Sequence, residues 1–235
     1  MSLTSKLVKV EEIDDDILEN MYHLMDATYF GTSLSKIKRD LSNKQYVLLL
    51  YDDQKVLKGF TTIQLFDSAF MGKKVKIIYS GDTVIDENAR GEIELMRAWW
   101  QFSYKVQQEY KNMGVYWMLI SKGWRTYKFF PLFLKEFYPT RQKETPLEFK
   151  NFIEQLGKFK FPEEYYDGRI IPKEPDFLKN AEHDVPDHKK DDPDIQFFLK
   201  ANPNFKHGNE LVCVAHLSPD NLTKIGLRLL HGQCD

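Results

Sequence analysis

A polar turn followed by a helix start could bind an anion in this chain. The turn is Asp86-Glu87-Asn88-Ala89-Arg90-Gly91, and the apolar spacing after it predicts a helix. The first N–H groups of a helix lack partners within it, and the helix dipole adds partial positive charge at the same end. We therefore expect a site for a negatively charged group where this helix begins.

Two carboxylates oppose that expectation. Glu92 and Glu94 lie in the first predicted turn, where the helix dipole favours acidic side chains. They would also repel a diphosphate, because two like charges near a protein surface interact by about 4 kcal/mol at ~4 Å. The sequence leaves two alternatives open: an anion site, or a helix start whose Gly91 serves only the backbone.

A strand–helix–strand unit must position this turn. Val75–Asp86 is rich in β-branched residues and predicts a strand, and Val115–Ile120 predicts a second one. Between them, large apolar side chains recur at spacings of 3 and 4, which predicts an amphipathic helix; they are Leu95, Trp99, Phe102, Val106, Tyr110 and Met113. Such a unit requires a crossover that covers one face of a sheet.

The other predicted elements flank this unit. Acidic residues after Leu7–Ile13 predict a helix start, and Ser33 predicts the cap of a second helix. The aromatic stretch Trp124–Tyr138 is predicted to be helical, with Pro131 near its first turn. Further strands are predicted at Tyr46–Tyr51, Val56–Phe66 and Leu211–Leu217, and further helices at Glu144–Leu156 and Ile195–Lys200.

Composition bounds the class of protein. The chain has 235 residues, 42% of them hydrophobic and 29% charged, which is typical of a soluble globular protein. A net charge of −2 provides no global attraction to nucleic acid. Cys213 and Cys234 are too few for a disulfide scaffold, and neither a membrane span nor a signal sequence is evident. We therefore expect a cytoplasmic location.

The order β-α-α-β-β-β-α-β-α-β, with Arg90-Gly91 in the turn before the third helix, resembles the GCN5-related N-acetyltransferase (GNAT) superfamily. The likeness covers roughly residues 7–139. It implies an α/β (α+β) fold with a mixed, mostly antiparallel central sheet flanked by helices. Residues 1–140 would be the acyltransferase core, and residues 141–235 an extension that completes and covers it within one structural domain.

The resemblance also implies an activity. The chain would be an acyl-CoA-dependent N-acyltransferase that uses acetyl-CoA or a longer acyl-CoA, needs no metal and acylates an amine of a small molecule. The CoA pyrophosphate would contact Arg90 and Gly91, with amides from Ala89 to Glu92 contributing. Pantetheine would lie between Val84 and Ser121, where the strands on either side of the helix diverge. Gly81 fits a bulge at that divergence, or a plain irregularity.

Two residues receive catalytic roles from the same resemblance. Asp82, on the strand before the helix, would accept a proton from the amine, and Tyr127 would protonate the leaving thiolate. Each also has a structural interpretation, because Asp82 could face solvent and Tyr127 could be a packed aromatic with a hydrogen-bonded hydroxyl.

Other functions stay open at this point. The alternative to an enzyme is a GNAT-like domain that binds a ligand or a protein partner without catalysis. The aromatic stretch Trp124–Tyr138 could be core, an acyl channel or a peripheral membrane contact. His183–His188 combines two histidines with two carboxylates, but its proline and neighbouring lysines favour an exposed loop over a metal site. Oligomeric state is not predicted.

Overall fold

The structure is a computed structural model that describes residues 3–89, 93–179 and 184–231. Its strands are β1 (Thr4–Lys9), β2 (Tyr29–Phe30), β3 (Tyr46–Tyr51), β4 (Leu57–Phe70), β5 (Lys73–Ile85), β6 (Gly114–Ser121), β7 (Tyr165–Tyr166), β8 (Arg169–Ile170), β9 (Phe177–Leu178) and β10 (Glu210–His216). Its helices are α1 (Asp15–Thr28), α2 (Leu34–Leu41), α3 (Glu94–Glu109), α4 (Trp124–Tyr127), α5 (Phe129–Phe133), α6 (Leu147–Lys160), α7 (Pro193–Ala201) and α8 (Lys224–His231).

Antiparallel pairing dominates the large sheet, whose order is β1-β3-β4-β5-β6-β10-β8-β7. Among the described strands the one parallel pair joins β5 to β6, and α3 connects them. Consecutive parallel strands require such a crossover. The structure therefore confirms the expected mixed, mostly antiparallel sheet flanked by helices. Strands β2 and β9 form a separate two-stranded ribbon.

Side-chain caps explain where the first two helices begin. The Asp14 carboxylate accepts a hydrogen bond from the Ile17 N–H at 2.8 Å, and the Ser33 hydroxyl accepts one from the Lys36 N–H at 3.3 Å. Each bond satisfies an amide that the helix itself cannot. Because a cap depends on residues three apart in the chain, both helix starts could be predicted from sequence.

Each face of the sheet is covered by a different set of helices. On one face α3, α4, α5 and α8 bury a core that includes Trp99, Trp100 and Trp117. On the other face α1 and α2 cover the strands up to β5, while α6 covers β5, β6 and β10. A gap between α2 and the end of α6 follows from this division, and it lies over the middle of the sheet.

A bulge interrupts β5 in the middle of the sheet. The β4–β5 register passes from Thr61↔Thr83 to Ile63↔Ser80, so β5 has one extra residue at Gly81–Asp82. Side chains alternate between sheet faces, and one inserted residue reverses that alternation. Asp82 would otherwise share a face with Ser80, under α3. The bulge places it on the opposite face, in the gap beside α2. The bulge that Gly81 suggested is therefore present.

The aromatic stretch after Trp124 is not one helix, which corrects the prediction. Helix α5 ends at Phe133, and the chain then runs extended, so that Tyr138 pairs with Val214. Successive residues of an extended chain point to opposite faces, and Phe137 and Tyr138 enter the two different cores. Sheet pairing therefore overrides local helix propensity here. Most of the aromatic rings are core residues.

The C-terminal segment supplies an interior strand. Strand β10 lies between β6 and β8, with Leu211 opposite Ser121 and Leu211 also opposite Arg169. Residues 1–140 and 141–235 thus share one sheet. Across the parts of the chain that the structure describes, every helix is too short or too polar to span a bilayer.

Candidate active site

The parallel strands β5 and β6 separate in the middle of the sheet. Their pairing ends at Ser80↔Leu119, whereas β5 continues to Ile85 and β6 to Ser121. Ser80 anchors the last paired position, because its hydroxyl accepts hydrogen bonds from Trp99 Nε1 at 2.9 Å and Trp117 Nε1 at 3.0 Å. Beyond it, the bulged end of β5 presents an edge that β6 does not pair.

An apolar cavity of 370 Å³ lies on one side of that edge. It extends from β5 to the beginning of α3 and to helices α4 and α5. Its lining includes Val84, Ile93, Met96, Phe129, Phe133 and Leu178. This space can accept an extended, mostly apolar chain whose amide groups pair with the free edge of β5.

A charged cavity of 480 Å³ lies on the other side, in the gap between α2 and α6. Its lining includes Lys44, Tyr79, Asp82, Lys122, Lys160 and Glu210. Tyr29 connects the two spaces, because its ring lines the apolar cavity and lies 4.9 Å from Lys122 Nζ. The two cavities therefore approach each other beside the bulge.

The floor of the charged cavity holds a buried ion pair. Lys122 Nζ lies 3.1 Å from Glu210 Oε1, and the two side chains are only 16% and 11% exposed. Burial raises the pKa of Glu210, although Lys122 opposes that shift. Burial acts to lower the pKa of Lys122, but Glu210 and other nearby acidic groups outweigh it and the pKa rises. Burial raises the pKa of Tyr29 to about 12. Lys122 is therefore charged and Tyr29 protonated at neutral pH.

Two lysines face the Tyr79 ring from different elements. Lys44 Nζ lies 5.2 Å and Lys160 Nζ 5.1 Å from the ring centroid. Within the described ranges neither ammonium has a carboxylate at ion-pair distance; Lys44 reaches only the Asp40 carbonyl, at 3.5 Å. Burial first, and then the charge of Lys44, lower the pKa of Lys160 to about 8, against a weaker opposing effect of Asp40. Positive charge is thus concentrated here without full compensation.

Lys160 should make stability depend on pH. Because its pKa is lower in the folded state than the ordinary 10.5, the unfolded chain binds more protons between about pH 8 and 10.5. We expect Lys160→Met to be more stable than the wild type at pH 7, and the difference to shrink as pH rises through that window. Urea denaturation of both proteins at pH 7, 9 and 10 measures it.

Lys158→Met is the matched control for that measurement. Lys158 lies on the same helix but is exposed and pairs with Glu154 at 2.5 Å, and its pKa is raised. Its effect on the free energy of unfolding should be constant between pH 7 and 9. If the difference in unfolding free energy between Lys160→Met and the wild type is equally independent of pH, Lys160 does not have the lowered pKa that its burial implies.

The residues predicted at the CoA site are only partly described. Val84 lines the apolar cavity, as expected for a residue on the free edge of β5. The Ala89 amide donates to the Asp86 carbonyl at 2.9 Å, and its predicted contact with pyrophosphate stays a prediction. Arg90, Gly91 and Glu92 lie outside the described residues. Their predicted contacts with pyrophosphate stay predictions.

The second acidic residue of the helix start is already engaged. Glu94 Oε1 accepts a hydrogen bond from the Ser5 hydroxyl at 2.8 Å, and Oε2 lies 2.7 Å from an Arg97 guanidinium nitrogen. Arg97 neutralises its charge. The repulsion expected between Glu94 and a bound diphosphate is therefore reduced.

Two other predicted residues lie away from both cavities. Ser121 is fully buried on the α3 face of β6, against Cys213. Tyr127 is also fully buried, and its hydroxyl donates to the Pro139 carbonyl at 3.2 Å. Burial raises the pKa of Tyr127 above the ordinary value of a tyrosine. The roles assigned to both in cofactor binding and catalysis gain no support from these positions.

Sequence reasoning missed the partners that tertiary structure adds to Asp82. Glu210 begins an apolar strand, and a lone carboxylate at the edge of a buried run was a usable signal. Lys44 follows α2 and Lys160 ends α6, with nothing unusual in their local sequence, so no signal was available. Lys122 and Lys128 are paired with Glu210 and Asp192. Within the described ranges, no group of three acidic, His or Cys side chains is placed to hold a metal.

Comparisons with known proteins gave structural likeness only. No protein-family profile matches the sequence, and no curated protein matches it significantly. Among solved structures, the chain is similar to a probable N-acyltransferase of unknown function from Enterococcus faecalis V583, with 16% identity and a TM-score of 0.43 over 58% of this chain and 33% of that one.

Two further structures are similar to this chain. One is a GCN5-related N-acetyltransferase from Kribbella flavida, with 16% identity and a TM-score of 0.39 over 54% of this chain and 32% of that one. The other is a GNAT family N-acetyltransferase from Escherichia coli in complex with CoA, with 16% identity and a TM-score of 0.34 over 52% and 65%. The chain thus spans about a third of the first two structures.

Identities and TM-scores of this size assign neither an activity nor a substrate. The sheet itself has the arrangement that the sequence resemblance implies: antiparallel strands, a crossover helix and a parallel strand that diverges from its neighbour. The chain therefore has a GNAT-like fold.

Proposed function

We propose that this protein is an acyl-CoA-dependent N-acyltransferase that acylates an amine of a small molecule. The observation that carries the proposal is the divergence of β5 and β6 beyond Ser80, with an apolar cavity on one side of the free strand edge and a charged cavity on the other. An acyl donor in the first cavity and an amine in the second would meet beside the bulge. Arg90 and Gly91 stay part of this proposal as contacts for the pyrophosphate.

The groups at the junction suit the chemistry of amine acylation. An amine arrives as an ammonium ion, and the Asp82 carboxylate favours its binding and can accept a proton from it, directly or through water. The free amine attacks the thioester carbonyl, a C–N bond forms and the C–S bond breaks. One proton from nitrogen passes to solvent and the other ends on the departing thiolate, beside the Tyr29 hydroxyl.

A thermal-shift titration tests donor binding. A ligand that binds only the folded state at a hundred times its Kd stabilises it by about 2.7 kcal/mol, or roughly 5–10 °C for a chain of this size. We expect acetyl-CoA or a longer acyl-CoA to raise the Tm of the wild type. Ile93→Trp, at the mouth of the apolar cavity, should lose most of that shift.

Leu147→Trp is the control for a bulky substitution, because Leu147 is 70% exposed on α6 and outside that cavity. It should keep the full shift. Absence of any shift with millimolar acyl-CoA in the wild type would refute the transferase. Release of free CoA thiol on addition of an amine panel then measures transfer itself.

A further inference from the structure

The charged cavity contains a local excess of positive charge at one end. Lys44, in the turn after α2, and Lys160, the last residue of α6, converge on the Tyr79 ring, and no carboxylate of the described chain lies within ion-pair distance of either. Asp40 is the acidic group that acts on both, yet burial and the nearby Asp82 raise its own pKa. Two partly buried ammonium groups lie beside one carboxyl whose negative charge is disfavoured, and an anionic ligand would balance their positive charge.

The bulge brings this charge next to the proposed base. A Cβ atom on Gly81 would lie 2.8 Å from Lys44 Cε, 3.1 Å from Lys44 Nζ and 2.5 Å from Thr62 Oγ1. The lysine therefore lies against the backbone of the residue that precedes Asp82, in space that only glycine leaves open. The Thr62 hydroxyl is buried and has no hydrogen-bond partner among the described atoms.

We propose that the acceptor is an anionic amine, a small molecule that carries a carboxylate or a phosphate in addition to its amino group. Lys44 and Lys160 bind the anionic group above the Tyr79 ring. Asp82, at the bulge that follows Tyr79 on β5, binds the amino group. This inference rests on the proposed function for the identity of the ligand as acceptor. The anion site itself rests only on the cavity and its two lysines.

Titration of Lys160 agrees with this arrangement. Its pKa of about 8 means that burial and the charge of Lys44 partly disfavour the ammonium, with Lys44, Asp40 and Tyr79 as the neighbouring titratable groups. A bound anion favours the charged form and raises that pKa. Anion affinity should accordingly decline as pH rises through 8.

The first arm of the test measures anion binding without acyl-CoA. Inorganic phosphate and acetate are titrated by thermal shift at constant ionic strength, with chloride as the reference, and the stronger of the two identifies the class of anion. We expect a rise in Tm for the wild type and for Lys158→Met, and its loss in Lys44→Met and Lys160→Met. Lys158 is exposed two residues before Lys160, so it controls for lost charge on α6.

The second arm measures acyl transfer to matched amines: O-phosphoethanolamine against ethanolamine, and β-alanine against its methyl ester. We expect the anionic member to be preferred, and each lysine variant to raise the KM of the anionic member about 10- to 100-fold and that of the neutral member much less. Equal use of the anionic and neutral amines, with lysine variants whose KM values match those of the wild type, would overturn the inference. The proposed transferase activity would still stand.

The two proposals can therefore fail separately. No transfer to any amine, combined with phosphate stabilisation that requires Lys44 and Lys160, would refute the acceptor assignment and support the anion site alone. No anion effect on Tm in the wild type, together with no preference among the amines, would refute the site as well.

Discussion

Asp82→Asn is expected to lower kcat for amine acylation by about 100- to 10,000-fold, the usual contribution of a positioned general base. Asparagine has the same shape but neither accepts a proton nor carries charge. Asp82 lines the charged cavity at the bulge of β5, where the apolar cavity also approaches. Among the carboxylates of that cavity it is the one on the strand that borders the donor space.

The measurement is kcat and KM, with Asp191→Asn as control because Asp191 is exposed in a turn. The control should match the wild type. Should Asp82→Asn retain its rate while Glu210→Gln loses it, the base is the buried Glu210 instead. Burial raises the pKa of that carboxyl.

Ser80→Ala is expected to cost about 2–4 kcal/mol of unfolding free energy, since each buried donor left unsatisfied costs about 1–3 kcal/mol. The Ser80 hydroxyl accepts from the Nε1 atoms of Trp99 and Trp117, and all three residues are buried. Alanine removes the shared acceptor and leaves two indole N–H groups in the core. Ser80 is also the last residue of β5 that pairs with β6.

Urea denaturation followed by tryptophan fluorescence measures this loss. Ser42→Ala is the matched control, because the Ser42 hydroxyl bonds the Arg39 carbonyl at an exposed position after α2. Its cost should stay within about 0.5 kcal/mol. A Ser80→Ala variant as stable as Ser42→Ala would show that the indoles have other acceptors, and that Ser80 does not hold the strands together where they diverge.

Contacts between residues that are far apart in the sequence decided which predicted site residues lie close together. Asp82 was identifiable because it is the acidic residue inside an otherwise apolar strand. Its sheet face was not, because one bulge reverses the direction of every later side chain. Tyr127 was, like Asp82, a candidate catalytic residue on sequence grounds. Its ring contacts with Phe137, Phe197 and Phe198 place it in the core.

The sequence by itself determined the elements whose causes are local. Apolar spacing predicted β5, α3 and β6, and the capping residues Asp14 and Ser33 marked two helix starts, because these effects act between residues a few positions apart. Only the tertiary structure decided that β10 enters the sheet beside β6, that Lys44 and Lys160 share the ring of Tyr79, and that Glu210 pairs with Lys122. Those contacts join segments that are distant in the sequence. The electrostatic interactions among their charged groups become strong only where burial excludes water.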